Sequence, residues 1–117
     1  MIWILTQVAL GGALGSVLRY LTVFAVGAPL ATLAVNILGS FAMGVLYVLL
    51  FQRTHLSPLL MTGVLGGFTT FSAFSLDALK LYQSGQSGTA LAYVAGSVVL
   101  SLLAVALGAA LTERVLT

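Results

Sequence analysis

The sequence predicts an all-α integral membrane protein, in which four transmembrane helices form a single domain over residues 1–117. Of its residues, 61% are hydrophobic and only 5% are charged, whereas soluble domains are about one-quarter charged. Four apolar segments, at approximately 2–26, 30–51, 59–82 and 88–111, are long enough to cross a bilayer, which takes roughly 20 residues. They leave no room for a soluble domain.

Composition also excludes several classes of function. The chain has no cysteine, so disulfides and thiol sites are excluded, and a scattered net charge of +2 does not suggest nucleic-acid binding. No nucleophile paired with a base, no metal cluster and no phosphate loop is visible, so we do not expect an enzyme. The N-terminus lacks a positive region and its apolar stretch is long, so we expect a retained span rather than a signal peptide.

The first two segments are bounded by turn residues. Segment one ends at residues 27–29, Gly-Ala-Pro, because proline lacks an amide donor and restricts the preceding residue. Segment two is followed by a polar loop at residues 52–55. Ser57 and Pro58 then suit the N-cap and first position of a third helix.

Segment three has an unusual middle, residues 66–75, which read GGFTTFSAFS. Glycine costs about 1 kcal/mol relative to alanine inside a helix, and Ser and Thr can supply partners for freed backbone groups. We therefore predict that this helix is broken near the bilayer midplane, a continuous kinked helix being the alternative. Segment four follows a Gly/Ser loop at residues 83–87 and leads into a tail that carries Glu113 and Arg114.

The basic residues give no preferred orientation. Four spans place Arg53 and Arg114 on one face, and Lys80, with Arg19 near the end of segment one, on the other. Because orientation follows the Lys/Arg bias between faces, this balance suggests insertion both ways and an antiparallel, dual-topology homodimer. Charge counts this small could also be noise.

Small residues recur four apart, as expected where helices pack closely in lipid. The pairs are Gly11 with Gly15, Gly12 with Ser16, and Gly63 with Gly67. They predict a tight multi-helix assembly, and because four helices enclose little space, an oligomer.

Two uncharged polar stripes lie on segments two and four. Spacing of four places each stripe on one helical face; the stripes are Thr32, Asn36 and Ser40, and Tyr93, Ser97 and Ser101. Buried polar groups in hydrocarbon need partners or a wet path. The stripes therefore suit either a polar pathway or hydrogen bonding between helices.

Aromatic rings and hydroxyls alternate on segment three. Phe68, Phe71 and Phe74 recur every three residues, interleaved with Thr69, Thr70, Ser72 and Ser75. Such a stripe often belongs to the core, but the positive edge of a phenyl ring can also face an anion.

Few ionisable residues interrupt the spans. Arg19 is expected near the interface, snorkelling beside Tyr20, where it could raise the anion concentration at a pore mouth. Asp77 and Lys80, three apart near the end of segment three, are expected to pair or to face the interface, and His55 to be a solvated loop residue.

Three motifs resemble those of the Fluc (CrcB) fluoride channels, in the family's order and over nearly the whole chain. They are GGALGSVLRY at residues 11–20, TLAVNILGSF at 32–41 followed by Gly44, and GGFTTFSAFS at 66–75. The first motif alone is weak, whereas the second and third together are specific. Two departures are Ala73, where a hydroxyl residue is common, and Asp77, where Glu is common.

The resemblance implies a dual-topology homodimer of the inner (plasma) membrane that exports fluoride passively through two antiparallel pores. Asn36 would be the amide donor reaching toward Phe71 and Phe74, which would come from opposite subunits and present ring edges to fluoride. The remaining pore residues would be Thr32, Ser72, Tyr93, Ser97 and Ser101.

The resemblance also implies a structural sodium ion at the dimer axis, held at the break by the backbone carbonyls of Gly66 and Thr69 from both subunits. Arg19 would then lie at the aqueous vestibule. Two other functions remain as alternatives. A four-span proton-coupled multidrug transporter needs a membrane-embedded carboxylate, and Asp77, the first acid in the chain, is close to a span end. A non-transporting assembly subunit would explain the glycines but not the polar stripes.

Overall fold

The computed structural model describes residues 1–50 and 54–117, and within these ranges every regular element is helical. Three long helices are continuous: α1 (Ile2–Val26), α2 (Leu30–Leu49) and α5 (Ser87–Leu116). With the third span, Pro58–Gln83, they give four helices apolar enough to cross a membrane. The protein is therefore a multi-pass membrane protein. Residues 51–53, and with them Arg53 of the charge comparison, lie outside the described ranges.

The third span is made of several pieces. A 3-10 turn (Thr54–Leu56) precedes a π-helix (Pro58–Leu65), which continues into the short α3 (Gly66–Phe68). After an interruption at residues 69–70, α4 (Phe71–Gln83) completes the span. Ser57 occupies the N-cap position but makes no side-chain cap; its Oγ lies 3.5 Å from Met61 Sδ.

The predicted break is confirmed, and it lies within the unusual middle of the span, residues 66–75. Thr69 (φ −87°, ψ 157°) and Thr70 (φ −154°, ψ 126°) are extended, whereas Gly66 keeps helical angles (φ −62°, ψ −37°). The interruption thus lies near the midpoint of the span but after the glycine pair, at the two threonines. Of the glycine pair, Gly67 packs closely against α1.

Helix α1 packs against the first half of the third span through the predicted small residues. A Cβ added to Gly11 would lie 2.9 Å from the Cα of Gly63, and one added to Gly67 would lie 2.6 Å from the carbonyl oxygen of Gly12. These separations are too short for any side chain, so the backbones are in direct contact. The glycines of segments one and three are therefore two sides of one interface.

Helices α2 and α5 form a second close pair and, being separated by one intervening span, run in the same direction. A Cβ added to Gly44 would lie 2.8 Å from the amide nitrogen of Ala109, and Gly108 is pressed in the same way against the backbone of Phe41. Helix α4 contacts α5 but not α1. Both halves of the third span touch α2, but the main partner of the first half is α1 and that of the second half is α5, and the break lies between the two halves.

Candidate functional site

The break is held by a side chain from α2. Asn36 Nδ2 donates to the carbonyl oxygen of Thr70 (2.9 Å), and the Thr70 amide donates to Asn36 Oδ1 (2.7 Å). The carboxamide thus acts as a backbone partner for a residue that has left the helix. Nδ2 carries two hydrogens, and the pair with Thr70 uses one of them. The second N–H of Asn36 therefore lies close to Phe71, the residue that follows Thr70.

The threonine hydroxyls supply further replacement bonds, as the sequence predicts. Thr69 Oγ1 donates to the carbonyl of Leu65 (2.9 Å) at the end of the first half. Thr70 Oγ1 accepts from the amide of Ala73 (3.1 Å) and so caps α4, and it lies 3.2 Å from Ser72 Oγ. An extended Thr-Thr pair can therefore interrupt a membrane helix without leaving these groups unpaired.

Arg19 reaches the same region from α1. Its Nε donates to the carbonyl oxygen of Gly67 (3.1 Å), and the residue is half-buried. This contact differs from the predicted snorkelling beside Tyr20, which is exposed. The reason is that the glycine interface brings the end of α3 within reach of the guanidinium.

Aromatic rings run from the surface of the chain into its interior beside the break. Phe71 is 76% exposed and Phe74 is 8% exposed, with ring centroids 5.4 Å apart and planes inclined by 55°. Tyr93 lies beyond them, its centroid 5.3 Å from that of Phe74. Of these three rings, those of Phe74 and Tyr93 are buried in the core, whereas the Phe71 ring projects from the surface of the single chain.

Asp77 corrects an expectation from the sequence. Instead of pairing with Lys80 or facing the interface, it is 8% exposed and accepts a hydrogen bond from the Tyr93 hydroxyl (Oδ2, 3.4 Å). Thr32 is a second hydrogen-bonding partner of that hydroxyl. The signal in the sequence was the spacing, because Asp77 follows the buried Phe74 by three residues and therefore shares its helical face.

A groove of about 370 Å³ lies between α2, the break and α5 and is open to the surface of the chain. Its lining includes two residues of each predicted polar stripe and two of the aromatic rings, and no lining residue is charged. The lining residues are Asn36, Gly39, Ser40, Met43, Thr69, Thr70, Phe71, Phe74, Ser97, Val98, Ser101, Leu102 and Val105.

Three of the predicted pore residues do not line this groove. Thr32 and Tyr93 are buried one helical turn before Asn36 and Ser97, and Ser72 is exposed beside Thr70. Within the groove, the hydroxyl of Ser97 is buried without a hydrogen-bond partner among the described residues. A buried hydroxyl that can still donate and accept a hydrogen bond can bind a small polar ligand.

Of the predicted metal ligands, Thr69 lies at the break and Gly66 lies three residues before it. Gly66 ends the π-helix and opens α3, and Thr69 is the first extended residue after α3. Within residues 1–50 and 54–117, no group of three His, Asp or Glu side chains could hold a metal ion. The oxygen atoms at the break belong to backbone carbonyls and to the hydroxyls of Thr69 and Thr70.

Comparison with known proteins identifies the family. Residues 6–109 match the family model described as "CrcB-like protein, Camphor Resistance (CrcB)". The chain is 59% identical over 109 residues to the "Fluoride-specific ion channel FluC" of Paracoccus denitrificans strain Pd 1222, covering 87% of this chain and 88% of that protein. The protein of the same name from Saccharophagus degradans is 48% identical over 116 residues, covering 92% and 87%. As its three motifs predict, the chain belongs to the CrcB-like family.

Proposed function

We propose that this protein is a fluoride-selective channel that lets fluoride cross the membrane passively and so relieves fluoride toxicity. The observation that carries the proposal is its 59% identity, over 87% of the chain, to a protein named a fluoride-specific ion channel. The relatives' names favour this function over a multidrug transporter, and a channel of this kind is not an enzyme. The groove supplies a route.

The lining chemistry suits a small, strongly hydrated anion. A pore must replace lost water with hydrogen-bond donors, and the groove offers the second N–H of Asn36 and the unpaired hydroxyl of Ser97. The edges of Phe71 and Phe74 add weak positive poles. Because none of the lining residues carries a fixed charge, the ion can bind and still leave, as conduction requires.

The rest of the polar path extends from this groove. In our proposal Ser101 continues it along α5, and Thr32 and Tyr93 continue it beyond Asn36 and Ser97. Ser72 lies beside the rings, next to Thr70. Arg19 attracts anions toward the vestibule through its positive charge.

We further propose that two inverted copies assemble in the inner (plasma) membrane. The groove of one chain is open, and Phe71 projects from it at 76% exposure. Polar groups facing hydrocarbon are costly, so a second copy that covers the groove would be favoured. The near balance of basic residues suits an antiparallel pair with two pores. Reporter fusions at the C-terminus should then be found on both sides of the membrane.

A sodium ion is proposed at the axis of this dimer. The carbonyls of Gly66 and Thr69 from two copies would provide four oxygen ligands, the donor type that hard cations prefer. When bound, the ion would add positive potential near the pores. Replacing sodium with an organic cation should lower the fluoride flux if this site supports the channel.

Anion flux from proteoliposomes tests the function, with fluoride and chloride release measured side by side. We expect rapid fluoride release, which Asn36→Asp and Phe71→Ile abolish. A matched control is Phe24→Ile, which removes an equally exposed ring on α1, away from the groove (Phe24 is 82% exposed). Equal chloride and fluoride fluxes from the wild-type protein would end the proposal.

A further inference from the structure

The hydrogen bond between Arg19 and Gly67 lies where a half-helix ends inside a membrane span. The helical stretch of residues 58–68 stops at the break, and its last carbonyls lack the amide partners that a continuing helix would provide. One of them, the Gly67 carbonyl, accepts from Arg19 Nε at 3.1 Å. A cation at a helix C-terminus is also favoured by the helix dipole.

The approach of Arg19 is fixed by the surrounding backbone. Gly67 contacts Gly12 and Ser16 so closely that a Cβ added to Gly67 would lie 3.1 Å from the Ser16 amide nitrogen. Arg19 is on the next turn of α1, and side chains on a helix lean toward its N-terminus. The Arg19 side chain therefore leans back toward the turn on which Gly67 rests.

Other partners for the guanidinium are scarce. The chain has two acidic residues. Asp77 is bonded to Tyr93, and Glu113 lies near the C-terminal end of α5. Among the described residues, the bond to the Gly67 carbonyl is thus the hydrogen bond that fixes the Arg19 side chain.

We infer that Arg19 is a positioning residue, which acts through the N–H of its Nε and not only through its charge. By holding the Gly67 carbonyl, it fixes the end of the first half-helix and hence the neighbouring backbone of Gly66 and Thr69. Gly67 lies between these two residues in sequence, so a shift of Gly67 displaces both. The effect on flux rests on the proposed function, whereas the hydrogen bond itself does not.

Two substitutions separate the hydrogen bond from the charge. In Arg19→Gln, the Nε2 of glutamine stands the same number of bonds from Cα as the Nε of arginine, so the donor stays and the charge is lost. In Arg19→Met, a methyl group takes that place, so donor and charge are both lost. Loss of the charge affects both variants alike, so a role in attracting anions alone predicts equal effects, whereas a positioning role predicts a further change in Arg19→Met that Arg19→Gln does not show.

The sequence allows the carbonyl itself to be observed. Gly67–Phe68 is the only Gly-Phe pair in the chain, so protein labelled with carbonyl-13C glycine and 15N phenylalanine gives one amide correlation, which reports the Gly67 carbonyl. We expect Arg19→Gln to keep the carbonyl shift near its wild-type value, and Arg19→Met to move it upfield as the hydrogen bond is lost. Equal displacement in both variants, or none in Arg19→Met, overturns the inference.

Folding and flux measurements complete the test. If Arg19→Met fails to fold while Arg19→Gln folds, the donor is required and the inference stands; if both fail, the charge is required and it falls. In proteoliposomes, the sodium concentration for half-maximal fluoride release should rise in Arg19→Met and stay near wild type in Arg19→Gln. Absence of any fluoride release from wild-type protein would reject the proposed function, while the carbonyl shifts would still decide the role of Arg19.

Discussion

Replacing Asn36 with leucine tests how the break is stabilised. Leucine has the branched shape of asparagine but no polar side-chain atoms, so the change removes both hydrogen bonds to Thr70, of 2.7 and 2.9 Å. Hydrogen bonds between side chains in membrane proteins contribute about 0.6 kcal/mol on average and up to about 1.7 kcal/mol. Two bonds give about 1 to 3 kcal/mol. We expect a loss of about 2 kcal/mol, because the N–H and C=O of an extended residue are both left without partners.

The free energy of unfolding can be measured in mixed micelles by following helical circular dichroism as a denaturing detergent is added. Ser40→Ala is the matched control. Ser40 lies one turn further along α2 and lines the same groove, but among the described residues it makes no hydrogen bond to the break. We expect this control to change the free energy by less than about 0.5 kcal/mol. An Asn36→Leu protein as stable as the Ser40→Ala protein would refute the reasoning.

Three further predictions, the first with its own control substitution, concern other parts of the structure and use the same unfolding measurement, with fluoride release added for Ser97. Gly67→Ala should lower the free energy of unfolding by about 1 to 3 kcal/mol, because the new Cβ would lie 2.6 Å from a carbonyl oxygen of α1. Its control, Gly96→Ala, has open space around it and should raise the free energy of unfolding by up to about 1 kcal/mol. Equal effects of the two substitutions would contradict the close interface between α1 and the third span. Tyr93→Phe should lose about 1 to 3 kcal/mol by depriving buried Asp77 of its hydroxyl partner, and an unchanged stability would show that this bond contributes nothing. Ser97→Ala should keep its stability, since its hydroxyl has no described partner, yet release fluoride more slowly; wild-type flux would remove Ser97 from the route.

The four spans and the existence of the break could be predicted from the sequence because both depend on local properties. Span number follows from apolar length, and the break follows from glycines and hydroxyl residues in the middle of a span. Its exact place could not be predicted, because glycine has two uses in a membrane helix. Gly66 and Gly67 are weak helix formers, yet both keep helical geometry, and Gly67 is in close contact with α1. The interruption falls instead on Thr69 and Thr70. The backbone of Thr70 bonds with Asn36 of α2, whereas Thr69 bonds one turn back, to Leu65.

The polar partners within the site depend on tertiary structure and were beyond prediction from spacing. Asn36 and Thr70 are 34 residues apart, and no local pattern indicates that a carboxamide on α2 pairs with the backbone of the third span. The position of Asp77 near the end of the span suggests exposure, whereas its burial is decided by α5, which brings Tyr93 against α4. The π-helical form of residues 58–65 also has no signature in the sequence, which there reads as an ordinary apolar helix after a proline.

The break joins two packing units, and this explains why side chains from two different helices hold it. Arg19 from α1 binds the carbonyl of Gly67 before the break, and Asn36 from α2 binds the backbone of Thr70 after it. The first half of the span packs on α1 and the second half on α5, so a relative movement of these units would act on Thr69, which lies between the two anchored residues. Each anchor therefore restrains one side of Thr69, and loss of either should free its carbonyl to move. Substitution of both Arg19 and Asn36 should then destabilise the break by less than the sum of the two single effects, because residues that restrain the same segment are not independent.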